Sequence, residues 1–170
     1  AKESYISVAA GWILVSVFGA MPFYLSGAIP SLVDAIFETV SGFTTTGASI
    51  LERVEVLPKG ILFWRAFTHW IGGMGIIMFL LILTQFSEGH SLYIMRAEVP
   101  GPTVGKIAPK SSSNALILYG IYTGLTVIEA LLLIFGGMGV FDAVTTAMST
   151  AGTGGFFIKA DSLASTTPYT

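Results

Sequence analysis

The longest uncharged apolar runs of the sequence restrict its possible folds more than any other feature. Residues 5–25 carry no charged side chain, and residues 115–135 carry only Glu129. At about 1.5 Å per residue, a helix of either length crosses a hydrocarbon core of about 30 Å. A third apolar run, 61–86, is also long enough to cross. The sequence therefore predicts three membrane-spanning helices, and a chain inserted in a bilayer.

Composition supports the same class and excludes others. Apolar residues make up 53% of the chain and charged residues 11%, with a mean hydropathy of +0.78, whereas soluble domains are about a quarter charged. Eight basic and ten acidic residues nearly cancel, so no basic surface is available for a nucleic-acid backbone. Cysteine is absent, which excludes thiolate metal sites and thiol nucleophiles.

Two shorter apolar segments, 31–43 and 141–150, lie between the predicted spans. Neither is long enough to cross, so each is predicted to be a half-helix that enters the membrane and returns. The first opens with Ser31 and Asp34, residue types that favour a helix N-terminus. Glycine- and threonine-rich loops follow, at 44–49 and 151–156. Their backbone groups cannot face lipid, and so must be buried in protein or line water.

These segments form a weak internal repeat. DAIFETVSGFTTTGAS begins at Asp34 and DAVTTAMSTAGTGGFF at Asp142; each has serine seven residues after the aspartate and then a Thr-Gly pair. The predicted fold class is an all-α membrane protein of repeated span, pore half-helix, filter loop and span units. The predicted divisions are a first repeat at 1–86, a cytoplasmic linker at 87–113, and an incomplete second repeat at 114–170, within a longer protein.

The two loops carry the predicted chemistry. A cation crossing a bilayer must exchange its water for other oxygens, and rings of backbone carbonyls provide them. Glycine permits the required backbone angles, threonine adds a hydroxyl oxygen, and the C-terminal end of a half-helix favours cations. The candidate ion-binding residues are Thr44, Thr45, Thr46, Gly47, Ala151, Gly152, Thr153, Gly154 and Gly155. The candidate supporting residues are Asp34, Glu38 and Asp142, with Glu38 either bracing the filter or acting as an ordinary structural carboxyl.

The sequence resembles the membrane subunit of the Trk/Ktr/HKT superfamily of potassium transporters. The resemblance is based on four motifs in the family's order: SGFTTTGAS at 41–49, FWRAFTHWIGGMGI at 63–76, RAEVPGPTVGKIAPK at 96–110 and STAGTGGF at 149–156. It implies potassium uptake through one pore shared by four repeats, without an organic cofactor, in a multi-pass protein of the cell membrane. Gly47 would be the first filter glycine. The second would be Gly154 by its Thr-Gly pairing, or Gly155 by counting from the aspartate.

The resemblance also implies partners: the remaining repeats of the full-length chain, a second copy in a homodimer, a cytosolic nucleotide-binding ring, and the lipid bilayer. Two alternatives remain. A cation-coupled secondary transporter with broken helices would also bring half-helix ends near ions. An intramembrane enzyme could use His69 and Glu129 as an acid/base pair, but lacks a nucleophile motif, so the chain is expected not to be an enzyme. Arg65 and His69 are predicted to snorkel to a membrane surface.

Overall fold

The computed structural model describes residues 2–86 and 111–158 of the chain. Within those ranges the regular structure is helical, with no strand, which confirms the all-α fold class. The helices are α1 (Lys2–Leu25), α2 (Leu32–Phe43), α3 (Lys59–Phe86), α4 (Ser111–Phe135) and α5 (Val140–Ala151), with a 3₁₀ turn at Val54–Val56. Most of the predicted linker, 87–110, and residues 159–170 lie outside the described ranges. Residues 111–113, predicted to close the linker, belong to α4 instead.

Three of the helices are long and two are short. Among the residues searched, one helix has the length and apolar composition to cross a membrane, Ala115–Phe135 in α4, and the apolar stretch of α1, Ala9–Leu25, is shorter. α2 and α5 have 12 residues each. At about 1.5 Å per residue they are about 18 Å long, well short of a hydrocarbon core.

The first short helix begins where its sequence predicts. Ser31 is the N-cap of α2, and its hydroxyl accepts a hydrogen bond from the Asp34 backbone N–H at 3.4 Å. Asp34 itself lies in the first turn, where its negative charge complements the helix dipole. In α5 the capping position is Gly139, which has no side chain to accept the bond, and Asp142 occupies the corresponding first turn.

α3 lies between the two short helices and packs against both of them, while α1 packs on α2 and α4 packs on α5. An apolar core joins α1, α2 and the start of α3; its buried members are Ala20, Phe23, Ile29, Ala35 and Ile61. The Trp64 indole N–H also donates to the Gly19 carbonyl oxygen at 2.9 Å, connecting α3 to α1.

Close approach of α3 to α2 depends on glycine. A Cβ atom built on Gly72 would collide with the backbone of Phe43, at the end of α2. Small residues let helices approach closely, and Gly72 has that role in the glycine-rich stretch 72–75. The end of α2 and the loop that follows it are thereby held directly against α3.

Candidate functional site

Each short helix runs into a loop, and the two helix–loop units have matching backbones. We call residues 44–50 the first loop and residues 152–158 the second loop. Every residue of one unit corresponds to the residue 108 positions later, and α2 and α5 themselves begin and end in this register. The hydrogen bonds at the two helix ends also match. At the end of α2, the N–H groups of Thr44 and Thr45 donate to the carbonyl oxygens of Val40 and Gly42. At the end of α5, those of Gly152 and Thr153 donate to the carbonyl oxygens of Met148 and Thr150.

The register also appears in the unusual backbone angles. Thr45 and Gly47 have positive φ values of 55° and 75°, and Thr153 and Gly155 have 67° and 68°. A positive φ is uncommon for threonine, so its recurrence at corresponding positions identifies equivalent loop conformations. Gly155 is therefore the backbone counterpart of Gly47.

A buried serine holds each loop against its own helix. The Ser41 hydroxyl donates to the Ala48 carbonyl oxygen at 2.5 Å, and the Ser149 hydroxyl donates to the Phe156 carbonyl oxygen at 2.8 Å. Both serines are buried, and buried polar groups of this kind are almost always hydrogen-bonded. The serine shared by the two sequence repeats thus closes both loops in the same way.

The two loops touch each other through their backbones. A Cβ atom built on Gly47 would collide with the Gly154 carbonyl oxygen, and one built on Gly154 would lie 2.6 Å from the Thr45 carbonyl oxygen. Side chains at these two positions would force the loops apart. The structure therefore brings residues 107 and 109 positions apart in sequence into contact, at the C-terminal ends of both short helices.

The first loop exposes two threonine hydroxyl groups. Thr44 and Thr46 are exposed, and their hydroxyl oxygens are 2.8 Å apart. Within the described part of the chain, the carbonyl oxygens of residues 44–47 accept no hydrogen bond. The negative end of the α2 dipole lies at the same loop. Such a combination of free oxygens and a helix C-terminus would attract a cation and not an anion.

The remaining predicted site residues occupy different places. Ala151, predicted to open the second filter loop, is instead the last residue of α5, so the loop begins at Gly152. Asp34 and Asp142 lie in the first turns of α2 and α5, at the opposite ends of those helices from the loops. Of the three candidate supporting residues, the structure brings Glu38 to a loop.

Glu38 is fully buried and accepts hydrogen bonds from both the first loop and α3. Its carboxylate accepts from the Ser49 hydroxyl at 2.9 Å and from the Ile50 N–H at 3.0 Å. Arg65 Nε donates to the same carboxylate at 2.6 Å and forms an ion pair with it. The side chain of Glu38 is 0% exposed and that of Arg65 is 3% exposed. Of the two roles considered for Glu38, these bonds favour bracing of the loop.

The sequence interpretation of Arg65 was wrong, because its guanidinium is buried instead of snorkelling. Besides the Glu38 pair, Arg65 Nη1 donates to the Phe157 carbonyl oxygen at 2.7 Å. The guanidinium carbon also lies 3.5 Å from the centroid of the Phe156 ring, a cation–π geometry. One side chain of α3 therefore joins α2 to the second loop.

His69 is also buried instead of snorkelling, at 0% exposure. Its Nε2 accepts a hydrogen bond from the Gly154 N–H at 2.9 Å, and its ring stacks on Phe156 with centroids 5.3 Å apart. The spacing of Arg65 and His69, four residues apart, does place them on one helix face. Together with the high cost of a charge in lipid, that spacing is the signal that could have identified a buried pair.

Comparison with known proteins adds independent information. The family model TrkH, described as cation transport protein, matches residues 1–168. Trk system potassium uptake protein TrkH of Escherichia coli K12 is 40% identical over 158 residues, which are 91% of this chain and 32% of that protein. The corresponding protein of Halomonas elongata is 36% identical over 157 residues, 91% of this chain and 33% of that protein.

A solved structure of a TrkH protein is also similar to this chain. The crystal structure of the potassium transporter TrkH from Vibrio parahaemolyticus aligns with a TM-score of 0.71 at 34% identity, over 93% of this chain and 31% of that one. The chain thus spans about a third of the length of the relatives that it matches.

Proposed function

Since this chain belongs to the TrkH family of cation transport proteins, we propose that it forms part of a potassium-uptake pathway across the cell membrane. The first and second loops line the path of the ion as two of its filter segments. Carbonyl oxygens of residues 44–47 and 152–155 replace the water of a dehydrated potassium ion. Gly47 and Gly155 are the filter glycines of the two repeats.

One observation carries this proposal: two helix–loop units of the same backbone conformation meet at their loops. An ion filter needs oxygens from separate segments that converge on one path, and the contact of Gly47 with Gly154 brings two segments together. Because α2 and α5 both end at this site, their dipoles add a negative potential there. No fixed carboxylate is needed, so the ion can leave as readily as it enters.

We further propose that the pore is completed by the remaining repeats of a longer chain, and that the exposed apolar side chains of α4 contact the lipid bilayer. Leu116, Leu125, Leu132 and Phe135 are among them. A homodimer and a cytosolic nucleotide-binding ring at the linker are the partners that the superfamily resemblance supports. The linker would then lie in the cytoplasm.

We also propose that the chain has neither enzymatic activity nor an organic cofactor. The enzyme alternative requires His69 to act as a base. Its Nε2 instead accepts the Gly154 N–H, and the ring is buried behind the second loop. That lone pair is therefore engaged by the backbone and cannot take a proton from a substrate.

The test is the Gly47→Ser variant of the full-length protein, expressed in cells that lack their own potassium uptake. Serine would hold a strained positive φ and press its Cβ against the Gly154 carbonyl oxygen, and such strain costs about 1–3 kcal/mol. We expect the preference for potassium over sodium to fall by about tenfold, since tenfold corresponds to about 1.4 kcal/mol. Uptake of both ions is measured over a range of concentrations.

Gly27→Ser is the matched control. Gly27 also has a positive φ, 71°, but a Cβ there meets nothing within 4 Å. The control therefore introduces the same backbone strain away from the loops, and its ion preference should equal that of the parent. Equal preference in Gly47→Ser and Gly27→Ser would refute the assignment of the first loop as a filter segment.

A further inference from the structure

One backbone N–H has a different acceptor in each loop, and an α3 side chain accounts for the difference. In the first loop the Thr46 N–H donates to the Ser41 carbonyl oxygen at 3.0 Å, within the same repeat. The residue 108 positions later is Gly154. Its N–H donates to His69 Nε2 instead, at 2.9 Å. A side chain from the first repeat thus replaces a bond that the second repeat would otherwise make internally.

The same side chain explains why the second loop departs from the sequence of the first. Thr44 and Thr46 of the first loop correspond to Gly152 and Gly154 of the second. A Cβ atom built on either glycine would collide with the His69 ring. Threonine at those positions would exclude the imidazole from its place. The two glycines of the second loop therefore form a slot that fits His69.

The hydrogen bond also determines the protonation state of His69. Because Nε2 accepts from an amide N–H, it carries a lone pair, and the neutral ring has its proton on Nδ1. Nδ1 is buried. Arg65, one turn away, already places a positive charge over the Phe156 ring, on which His69 also stacks. A second positive charge at His69 would remove the acceptor and repel an incoming cation.

We propose that His69 is a positioning residue that sets the conformation of the second loop and thereby the potassium preference of the pore. This rests on the proposed function, because it deepens the role of the same loops. His69 touches no ion. It acts by accepting the Gly154 N–H, and so keeps the Gly154 carbonyl group at its contact with Gly47 in the first loop.

The test compares two substitutions at His69 in the full-length protein. His69→Phe keeps a flat ring that can stack on Phe156 but leaves the partly buried Gly154 N–H without its acceptor, which is unfavourable. His69→Gln offers a side-chain oxygen at a similar reach and keeps the acceptor. We expect His69→Phe to lower the preference for potassium over sodium by about tenfold. The preference of His69→Gln should stay within about twofold of the parent. The amount of protein in the membrane should be the same for both variants and the parent.

Trp70→Phe is the matched control, because it alters the next residue of α3 without touching the loops. It removes the hydrogen bond from Trp70 Nε1 to Thr126 Oγ1, 3.1 Å long, between α3 and α4. Its ion preference should not change. If His69→Phe keeps the parent's preference, or if His69→Gln loses it as fully as His69→Phe does, the proposal is overturned. Failure of the unmodified protein to take up potassium would refute the proposed function instead.

A second measurement needs no variant to fold into an active pore. Nitrogen-15 solid-state NMR of the unmodified, histidine-labelled protein in lipid bilayers reports which ring nitrogen carries a proton. The His69 signal is assigned by its loss in His69→Gln. We expect a protonated Nδ1 and an unprotonated Nε2 at neutral pH. A protonated Nε2, in either the other tautomer or the imidazolium, would overturn the proposal.

Discussion

Replacing Glu38 by glutamine perturbs the most heavily bonded side chain of the site. The carboxylate accepts hydrogen bonds from Ser49, Ile50 and Arg65, and all of these partners are donors. Glutamine preserves the shape but removes the negative charge. It also replaces one acceptor oxygen by an NH2 group, which must face a donor. Glu38→Gln therefore leaves Arg65 as a buried cation without its counter-ion.

The structure sets the size of the expected effect. Removing one partner of a buried ion pair costs about 3–5 kcal/mol, mainly because the other charge stays buried and unpaired. Arg65 retains its hydrogen bond to the Phe157 carbonyl oxygen and its contact with the Phe156 ring, which favours the lower end of that range. We expect the free energy of unfolding to fall by about 3 kcal/mol, or about 100-fold in the folded-to-unfolded ratio.

The assay is chemical unfolding of the full-length protein in detergent micelles, followed by tryptophan fluorescence. Asp34→Asn is the matched control, because it removes one negative charge from the same helix but from a half-buried position in the first turn. Its loss of helix-dipole stabilisation should be at most about 1 kcal/mol. A loss in Glu38→Gln no larger than that of Asp34→Asn would refute the assignment of Glu38 as the counter-ion of Arg65.

A double variant distinguishes the ion pair from the packing around it. Glu38→Leu with Arg65→Met replaces both charges by apolar side chains of similar size. Such replacement of a buried pair is often neutral or stabilising, so the double variant should be more stable than Glu38→Leu alone. The coupling energy from the double-mutant cycle should exceed about 1 kcal/mol, since residues in contact are not independent. Additive losses would contradict a direct interaction.

Two further stability predictions concern helix contact and loop closure. Gly72→Ala should destabilise the protein by about 2–3 kcal/mol, because its Cβ would collide with the Phe43 backbone. Gly120 lies in open space on α4, so Gly120→Ala should instead stabilise the protein by up to about 1 kcal/mol. Equal effects of the two variants in unfolding experiments would contradict this prediction. Ser149→Ala should cost about 1–3 kcal/mol by leaving the Phe156 carbonyl oxygen without its donor, and unchanged stability would contradict the closure of the second loop by this serine.

The helices and loops could be predicted because local sequence determines them. Ser31 caps α2, as its residue type favours, and 12 residues are too few to cross a bilayer whatever the surroundings are. The choice between Gly154 and Gly155 needed coordinates, because the Thr-Gly pair and the count from the aspartate disagree by one residue. Backbone φ angles, which two adjacent glycines do not reveal in sequence, pair Gly155 with Gly47.

The roles of Arg65 and His69 could not be predicted in the same way, because their partners are distant in sequence. Arg65 bonds to residues 27 and 92 positions away, and His69 to one 85 positions away. Polar residues in the first turns of a span usually lie at a membrane surface. Here α2 and α5 pack on both sides of α3, so that the start of the span lies inside protein.

The position of α3 has a consequence for the selectivity of the proposed pore. If each repeat built its own loop independently, the two loops would be free to differ in relative position. Instead, Arg65 and His69 both reach from the first repeat to the second loop, and both contact the Phe156 ring. The same arginine is bonded to Glu38, and Glu38 in turn accepts a hydrogen bond from the first loop. A displacement of either loop would therefore disturb buried contacts of Arg65, and we expect this coupling to limit changes in the separation between the oxygens of the two loops.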